Sequence, residues 1–91
     1  MKSIIVLSEY GAQRHAGEEY DGIVYVSDSP DTTNVNAQAM RIKEEIEKLG
    51  KEDEIKVYCD ATPVYFTVIE NVVFKCAKNG YKVKTDWPIA Q

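Results

Sequence analysis

Residues 54–78 read EIKVYCDATPVYFTVIENVVFKCAK. Apolar residues alternate with polar ones from Ile55 to Cys59, as in a half-buried strand, before the turn DATP interrupts the pattern. An apolar run at helical spacing follows. Thr62 suits the cap position of that helix and Pro63 its first position. The stretch therefore predicts a strand, a tight turn and a helix, which is the repeating unit of an open α/β sheet.

Two further strands are expected before this unit, at residues 3–7 and 22–27, because both segments are short, apolar and rich in β-branched residues. Residues 28–34 are turn-forming and lead into a helix capped by Thr33 or Asn34. Apolar residues recur along one face of that helix. They are Val35, Ala39, Ile42, Ile46 and Leu49.

The chain is completed by a last strand at residues 81–85, which alternates as an edge strand does. Residues 8–21 are polar and contain two glycines, so they form either a short helix or a loop. Helices between strands require right-handed crossovers and parallel strands. We therefore predict a single domain over residues 1–91, an α/β, Rossmann-like fold with a mostly parallel four-stranded sheet and two main helices.

Composition narrows the classes of partner. Eleven Lys and Arg against 15 Asp and Glu give a net charge of −4, which disfavours binding along a nucleic-acid backbone or an anionic membrane. The apolar run near the N-terminus, residues 4–7, is too short for a signal sequence or a membrane span. We expect a cytoplasmic protein with two reduced cysteines and, because so short a chain buries a modest core, a homodimer.

Common cofactor and metal motifs are missing from the sequence. It has no GxGxxG after the first strand, no P-loop motif, no CxxC and a single histidine, His15. We therefore expect no cofactor and no metal site. Cys59, at a strand end, offers an alternative as a phosphoryl-transfer nucleophile, but the charge of Asp60 beside it would raise the pKa of the thiol and repel phosphate.

Parallel strands place their following loops at one edge of the sheet, where helix N-termini bind anions. These loops are SEYGAQRHAG, SDSPDTTN and DATP, the most polar parts of the chain. The segment IVYVSDSPDTTNVNAQAMRIKEEI and the later VYCDATPVYFTVIENVVFKCAKNGYKVKTDW resemble two units of CARF domains, the CRISPR-associated Rossmann-like sensors. The chain is shorter than a full CARF domain and closer in size to single-domain CRISPR accessory proteins of that fold.

The resemblance implies a two-fold homodimer whose strand-end loops bind a cyclic oligoadenylate, either to sequester it or to cleave it as a ring nuclease without metal. Arg14 and His15 are then the phosphate contacts and catalytic candidates, and Tyr10 or Tyr65 would stack an adenine. The remaining ligand-binding candidates are Ser8, Tyr10, Ser27, Asp28, Asp60, Thr62, Pro63 and Thr67.

A different function class stays open. The second main helix is apolar almost all round, and the last strand carries two lysines. Both features are typical of a non-enzymatic module that docks a protein partner.

Overall fold

The structure is a computed structural model that describes residues 1–29 and 31–87. Its strands are β1 (Lys2–Leu7), β2 (Gly22–Tyr25), β3 (Ile55–Asp60) and β4 (Val83–Thr85), and its helices are α1 (Glu9–Arg14), α2 (Thr32–Leu49) and α3 (Val64–Lys78). The strands form one sheet in the order β2-β1-β3-β4, and every pair is parallel. The predicted Rossmann-like α/β fold is thereby confirmed.

Strand β1 is buried on both faces, which explains its unbroken apolar sequence. Ile4 and Val6 belong to the main core, where they meet residues of α2 and α3. Ile5 and Leu7 alternate to the opposite face and are also buried. Strand β1 therefore needs cover on both sides of the sheet.

The two long helices cover one face. In α2, the apolar stripe was predicted correctly, because Ile42 and Ile46 are fully buried. In α3, inward-facing residues such as Tyr65 and Ile69 are fully buried, whereas Phe74 is 64% exposed. The all-round apolar character of α3 thus leaves part of it in contact with solvent.

Residues 8–21, for which the sequence predicted either a short helix or a loop, contain helix α1. The segment forms one short helix, followed by a turn that crosses the second face of the sheet. Tyr20 in that turn packs its ring edge-on against Tyr58 of β3, at a centroid separation of 6.0 Å. A thin layer thus covers Ile5 and Leu7.

Both predicted helix caps are wrong. Helix α2 begins at Thr32, because the Asp31 carboxylate, rather than Thr33 or Asn34, accepts the hydrogen bond from the Asn34 N–H at 2.8 Å. Helix α3 begins at Val64 with Pro63 at its cap position and no side-chain cap. The Thr62 hydroxyl turns away and donates to the Asp28 carbonyl at 3.5 Å.

Strand boundaries differ slightly from those predicted. Strand β2 ends at Tyr25 rather than at residue 27, β3 extends by one residue to Asp60, and β4 begins at Val83. The predicted turn residue Pro30 lies outside the described residues. These shifts leave the polar loops directly at the strand ends.

Candidate functional site

The loops that follow β1, β2 and β3 meet at the carboxyl edge of the sheet, as predicted. The backbone N–H of Ser8 donates to the Asp60 carbonyl at 3.1 Å, which joins the first loop to the third. The Thr62 hydroxyl joins the third loop to the second through Asp28. We call residues 8–15, 27–29 and 60–64 together the strand-end edge.

Helix α1 packs directly on the backbone of β3. Ser8 is 5% exposed, and its hydroxyl accepts from the Gly11 N–H at 3.1 Å and donates to the Asp60 carbonyl at 3.4 Å. A Cβ on Gly11 would lie 2.1 Å from the same carbonyl oxygen. Glycine is required at this position because the two backbones approach too closely for any side chain.

An ion-pair cluster forms where α1 ends. Arg14 contacts Asp60 through two parallel hydrogen bonds, Nε to Oδ2 at 2.8 Å and Nη2 to Oδ1 at 2.6 Å. His15 bridges two carboxylates, with Nε2 at 3.0 Å from Asp60 and Nδ1 at 2.9 Å from Glu18. Tyr20 donates its hydroxyl proton to Glu18 at 2.6 Å. The cluster therefore ties the turn after α1 to the end of β3.

These contacts shift the pKa values of the side chains in the cluster. The hydrogen bond to Glu18, reinforced by Asp60, raises the pKa of the His15 imidazole, although burial opposes the shift. The hydrogen bond from Arg14 lowers the pKa of Asp60, and that from Tyr20 lowers the pKa of Glu18. The same bond to Glu18 raises the pKa of Tyr20 to about 12. The cluster thus stabilises the protonated imidazole and the two ionised carboxylates relative to the same groups free in water.

The cluster predicts a stability maximum in mildly acidic solution. Because the pKa of His15 is raised in the folded protein, its contribution is full below its ordinary pKa of 6.5 and is lost as pH rises through the folded pKa. The lowered pKa values of Asp60 and Glu18 make their contributions full above the ordinary pKa of 4.5 of glutamate. The melting temperature should therefore peak between these two values.

Thermal unfolding of the wild-type protein and of His15→Gln, from about pH 4 to about pH 9, tests this prediction. The variant should lose the fall in melting temperature on the alkaline side of the maximum. Two parallel curves would show that His15 does not couple folding to protonation.

The two catalytic candidates differ in the atoms that they leave for a ligand. Arg14 is 58% exposed at its side chain and uses Nε and one N–H of Nη2 on Asp60. Its other N–H groups have no acceptor among the residues that the structure describes. Both ring nitrogens of His15 already have carboxylate partners. Arg14 can bind a phosphate as it stands, whereas His15 must first release one carboxylate.

The other predicted ligand-binding residues lie in two groups. Ser8 and Asp60 join α1 to β3, because the Ser8 N–H donates to the Asp60 carbonyl. The Ser27 hydroxyl accepts from the Ser29 N–H at 3.0 Å, a turn-forming role. The second group presents exposed side chains at or beside the strand-end edge and is free to meet a ligand. It consists of Tyr10, Asp28, Pro63 and Thr67.

Tyr65 cannot stack an adenine, since it is fully buried beneath the start of α3. Its hydroxyl lies near the Ser27 backbone but makes no hydrogen bond of normal geometry to any described residue. Burial raises the pKa of this phenol. Of the two tyrosines proposed for stacking, only Tyr10, 64% exposed, is accessible.

The N-terminus of α3 offers fewer free amides than the sequence suggested. The Tyr65 N–H donates to the Thr62 carbonyl at 2.9 Å, and the Phe66 N–H donates to the Pro63 carbonyl at 3.0 Å. These tight turns satisfy two of the N–H groups that the start of a helix otherwise offers to a capping side chain or a ligand. A hollow of about 500 Å³ nevertheless separates the first turns of α2 and α3, between Thr32 and Val64.

Sequence reasoning missed Glu18 and Tyr20, the outer members of the cluster. The only local signal was that Glu18 stands three residues after His15. The sequence analysis also assigned both Asp60 and Arg14 to the ligand and did not predict that they pair with each other. Their pairing joins residues 46 positions apart, and no short-range pattern encodes it.

The surroundings of Cys59 disfavour the alternative in which it transfers a phosphoryl group. The side chain packs against the core beneath α2 and α3, and burial, with a smaller effect of the Asp60 charge, raises its pKa to about 11. A thiol that stays protonated near neutral pH is a poor nucleophile.

No helix within residues 1–29 and 31–87 combines the length and apolarity needed to cross a bilayer. Comparisons with protein-family models, with curated proteins and with solved structures found no match to this chain.

Proposed function

We propose that this protein binds a cyclic oligoadenylate at the strand-end edge. The observation that carries the proposal is that three polar loops meet at the carboxyl edge of the sheet. At that edge Asp60 holds the Arg14 guanidinium through two of its N–H groups. A carboxyl edge of a parallel sheet is the usual location of nucleotide sites in open α/β folds. The resemblance of two sequence units to CARF domains supplies the ligand class.

Each chemical part of such a ligand has a matching group at the edge. Arg14 meets a phosphate, because a guanidinium presents planar pairs of donors to phosphate oxygens. The exposed carboxylate of Asp28 accepts hydrogen bonds from ribose hydroxyls. Tyr10, with its ring largely in solvent, stacks an adenine. Asp60 fixes the position of the guanidinium and offsets part of its charge, so the phosphate contact depends on the N–H groups of Arg14 that Asp60 does not use.

A second copy of the chain completes the site. One strand-end edge is small beside a cyclic ligand that contains several nucleotides, and a two-fold ring presents the same phosphate and base on opposite sides. Two edges related by a two-fold axis would contact the ring symmetrically. The proposed binding unit is therefore a homodimer.

Cleavage is the catalytic extension of this proposal. The ribose 2′-oxygen attacks the adjacent phosphorus and loses its proton, the bond from phosphorus to the 5′-oxygen breaks, and the 5′-oxygen takes up a proton. Arg14 stabilises the charge that develops on the phosphate. His15 transfers a proton only after it leaves Asp60 or Glu18, so slow turnover or pure sequestration follows if that cluster stays intact.

Thermal shift and product analysis with cyclic tri-, tetra- and hexa-adenylate test the function. A raised melting temperature without products indicates a sequestering protein, and linear products indicate a nuclease. Absence of both at micromolar ligand would remove the nucleotide hypothesis.

Paired variants test the location. Arg14→Ala should weaken binding by at least about tenfold, the effect of losing a charge-assisted contact of about 1.5–3 kcal/mol. Lys43→Ala removes a cation from the exposed surface of α2 and should leave the affinity unchanged. Equal effects of the two substitutions would show that Arg14 is not at the site.

A further inference from the structure

Strand β4 forms one edge of the sheet, and part of its backbone faces outward. The carbonyl of Lys82 and the N–H of Asp86 bond to β3. Because backbone groups alternate in direction along a strand, those of Val83 and Thr85 point away from β3. An edge of this kind can accept a further strand.

An apolar groove runs beside this edge. It lies between α3 and β4 and has a volume of about 430 Å³. Its lining includes Phe74, Ala77 and Val83, and Phe74 is 64% exposed. A strand added beside β4 would direct alternate side chains into this groove.

The opposite edge of the sheet is shielded by comparison. Arg41 of α2 donates to the Tyr25 carbonyl at the end of β2, at 3.1 Å. The Glu45 side chain lies over Gly22, so that a Cβ there would be 2.9 Å from the carboxylate. The α2 side chains thus cover β2, whereas residues 1–29 and 31–87 leave a groove beside β4.

The charged side chains on and beside β4 indicate which kind of segment would bind there. Lys82 and Lys84 alternate to the face opposite Val83, and the Lys78 ammonium lies 5.3 Å from the centre of the Phe74 ring. The acidic group on the groove is Glu70, which accepts from the Trp87 indole at 3.2 Å. On the face of Lys82 and Lys84, Asp86 pairs with Lys56 at 3.4 Å, and the Lys82 ammonium donates to the Glu52 carbonyl at 3.2 Å. Lys82 and Lys84 therefore have no carboxylate partner among the described residues, and they give this edge a positive charge in a chain of net charge −4.

A second copy fits this edge poorly. Antiparallel pairing of β4 with itself about its central residue would place Lys84 opposite its own counterpart, and like charges opposed across strands are destabilising. An acidic segment has the complementary charge.

We infer that the β4 edge binds an extended peptide segment of another protein in which apolar and acidic residues alternate. The peptide adds a fifth strand, with its apolar side chains against Phe74 and Val83 and its acidic side chains beside Lys82 and Lys84. Strand β4 is short, so the affinity is modest, in the micromolar range that few backbone bonds support. This surface is separate from the strand-end edge, and the inference does not depend on nucleotide binding.

Fluorescence anisotropy with labelled eight-residue peptides tests the inference. A peptide that alternates valine with glutamate should bind, and one that alternates valine with lysine should bind at least about tenfold more weakly. Lys84→Glu should reverse this preference, and Phe74→Ser should weaken the acidic peptide. Lys43→Glu, which makes the same charge change on α2, should have no effect. Equal binding of both peptides, or an equal effect of Lys43→Glu, would overturn the inference.

Backbone methylation separates strand addition from simple charge attraction. An acidic peptide that carries N-methyl groups on the residues whose N–H groups point at β4 should not bind. A peptide methylated on the intervening residues should bind like the parent. If both methylated peptides bind like the parent, no strand is added. If sedimentation instead shows a dimer that Phe74→Ser dissociates, the occupant is a second copy and the inference fails.

Discussion

Gly11→Ala is expected to destabilise the protein by about 3 kcal/mol or more, the upper range for forcing atoms into a packed contact. The new Cβ would lie 2.1 Å from the Asp60 carbonyl oxygen, so α1 and β3 must separate. Separation also breaks the Ser8 hydrogen bonds to that carbonyl. In an ordinary helix the same change stabilises by about 1 kcal/mol, so the expected sign is reversed. Chemical denaturation measures the effect directly.

Gly17→Ala is the matched control. Gly17 has a φ of +87° and no atom within 4 Å of the added Cβ, so only backbone strain opposes the change. We expect a loss of about 1 kcal/mol at that position. If Gly11→Ala is no more destabilising than Gly17→Ala, α1 does not pack on β3 as described.

Asp60→Ala is expected to free the turn after α1. It removes the carboxylate that both Arg14 and His15 contact, while the backbone junction with Ser8 remains. Amide hydrogen exchange in residues 15–18 should therefore accelerate by at least about tenfold, whereas exchange in the buried strand β1 should change far less. The same variant should lose much of the pH dependence of the melting temperature.

Asp53→Ala provides the comparison, because Asp53 is exposed and precedes β3 at the opposite end of the sheet. Its exchange pattern should match that of the wild-type protein. Unchanged exchange at residues 15–18 in Asp60→Ala would mean that the cluster does not order this turn.

The sheet was predictable because its signals are local and strong. Ile4, Ile5 and Val6 stand together in an apolar run that suits only a strand buried on both faces, as β1 is. Helices between such strands require parallel pairing, and parallel pairing gathers the loops at one edge. The location of the candidate site followed from this topology, without knowledge of any side-chain contact.

The contacts within the site were not predictable in the same way. Asp31, Thr33 and Asn34 all have side chains that can cap a helix, and the choice of Asp31 depends on the path by which the chain enters α2. Thr62 has the right chemistry for a cap, but Asp28 on another loop competes for its hydroxyl. The pairing of Arg14 with Asp60 likewise depends on tertiary structure, which brings distant residues together.

Amide resonance mapping by NMR, with the cyclic oligoadenylate that gives the largest thermal shift, tests the central claim most directly. If the ligand binds at the strand-end edge, resonances of residues 8–15, 27–29 and 60–64 should move, and those of the groove beside β4 should stay in place. Shifts confined to residues 74–77 and 82–85, or none with any ring size, would contradict the account.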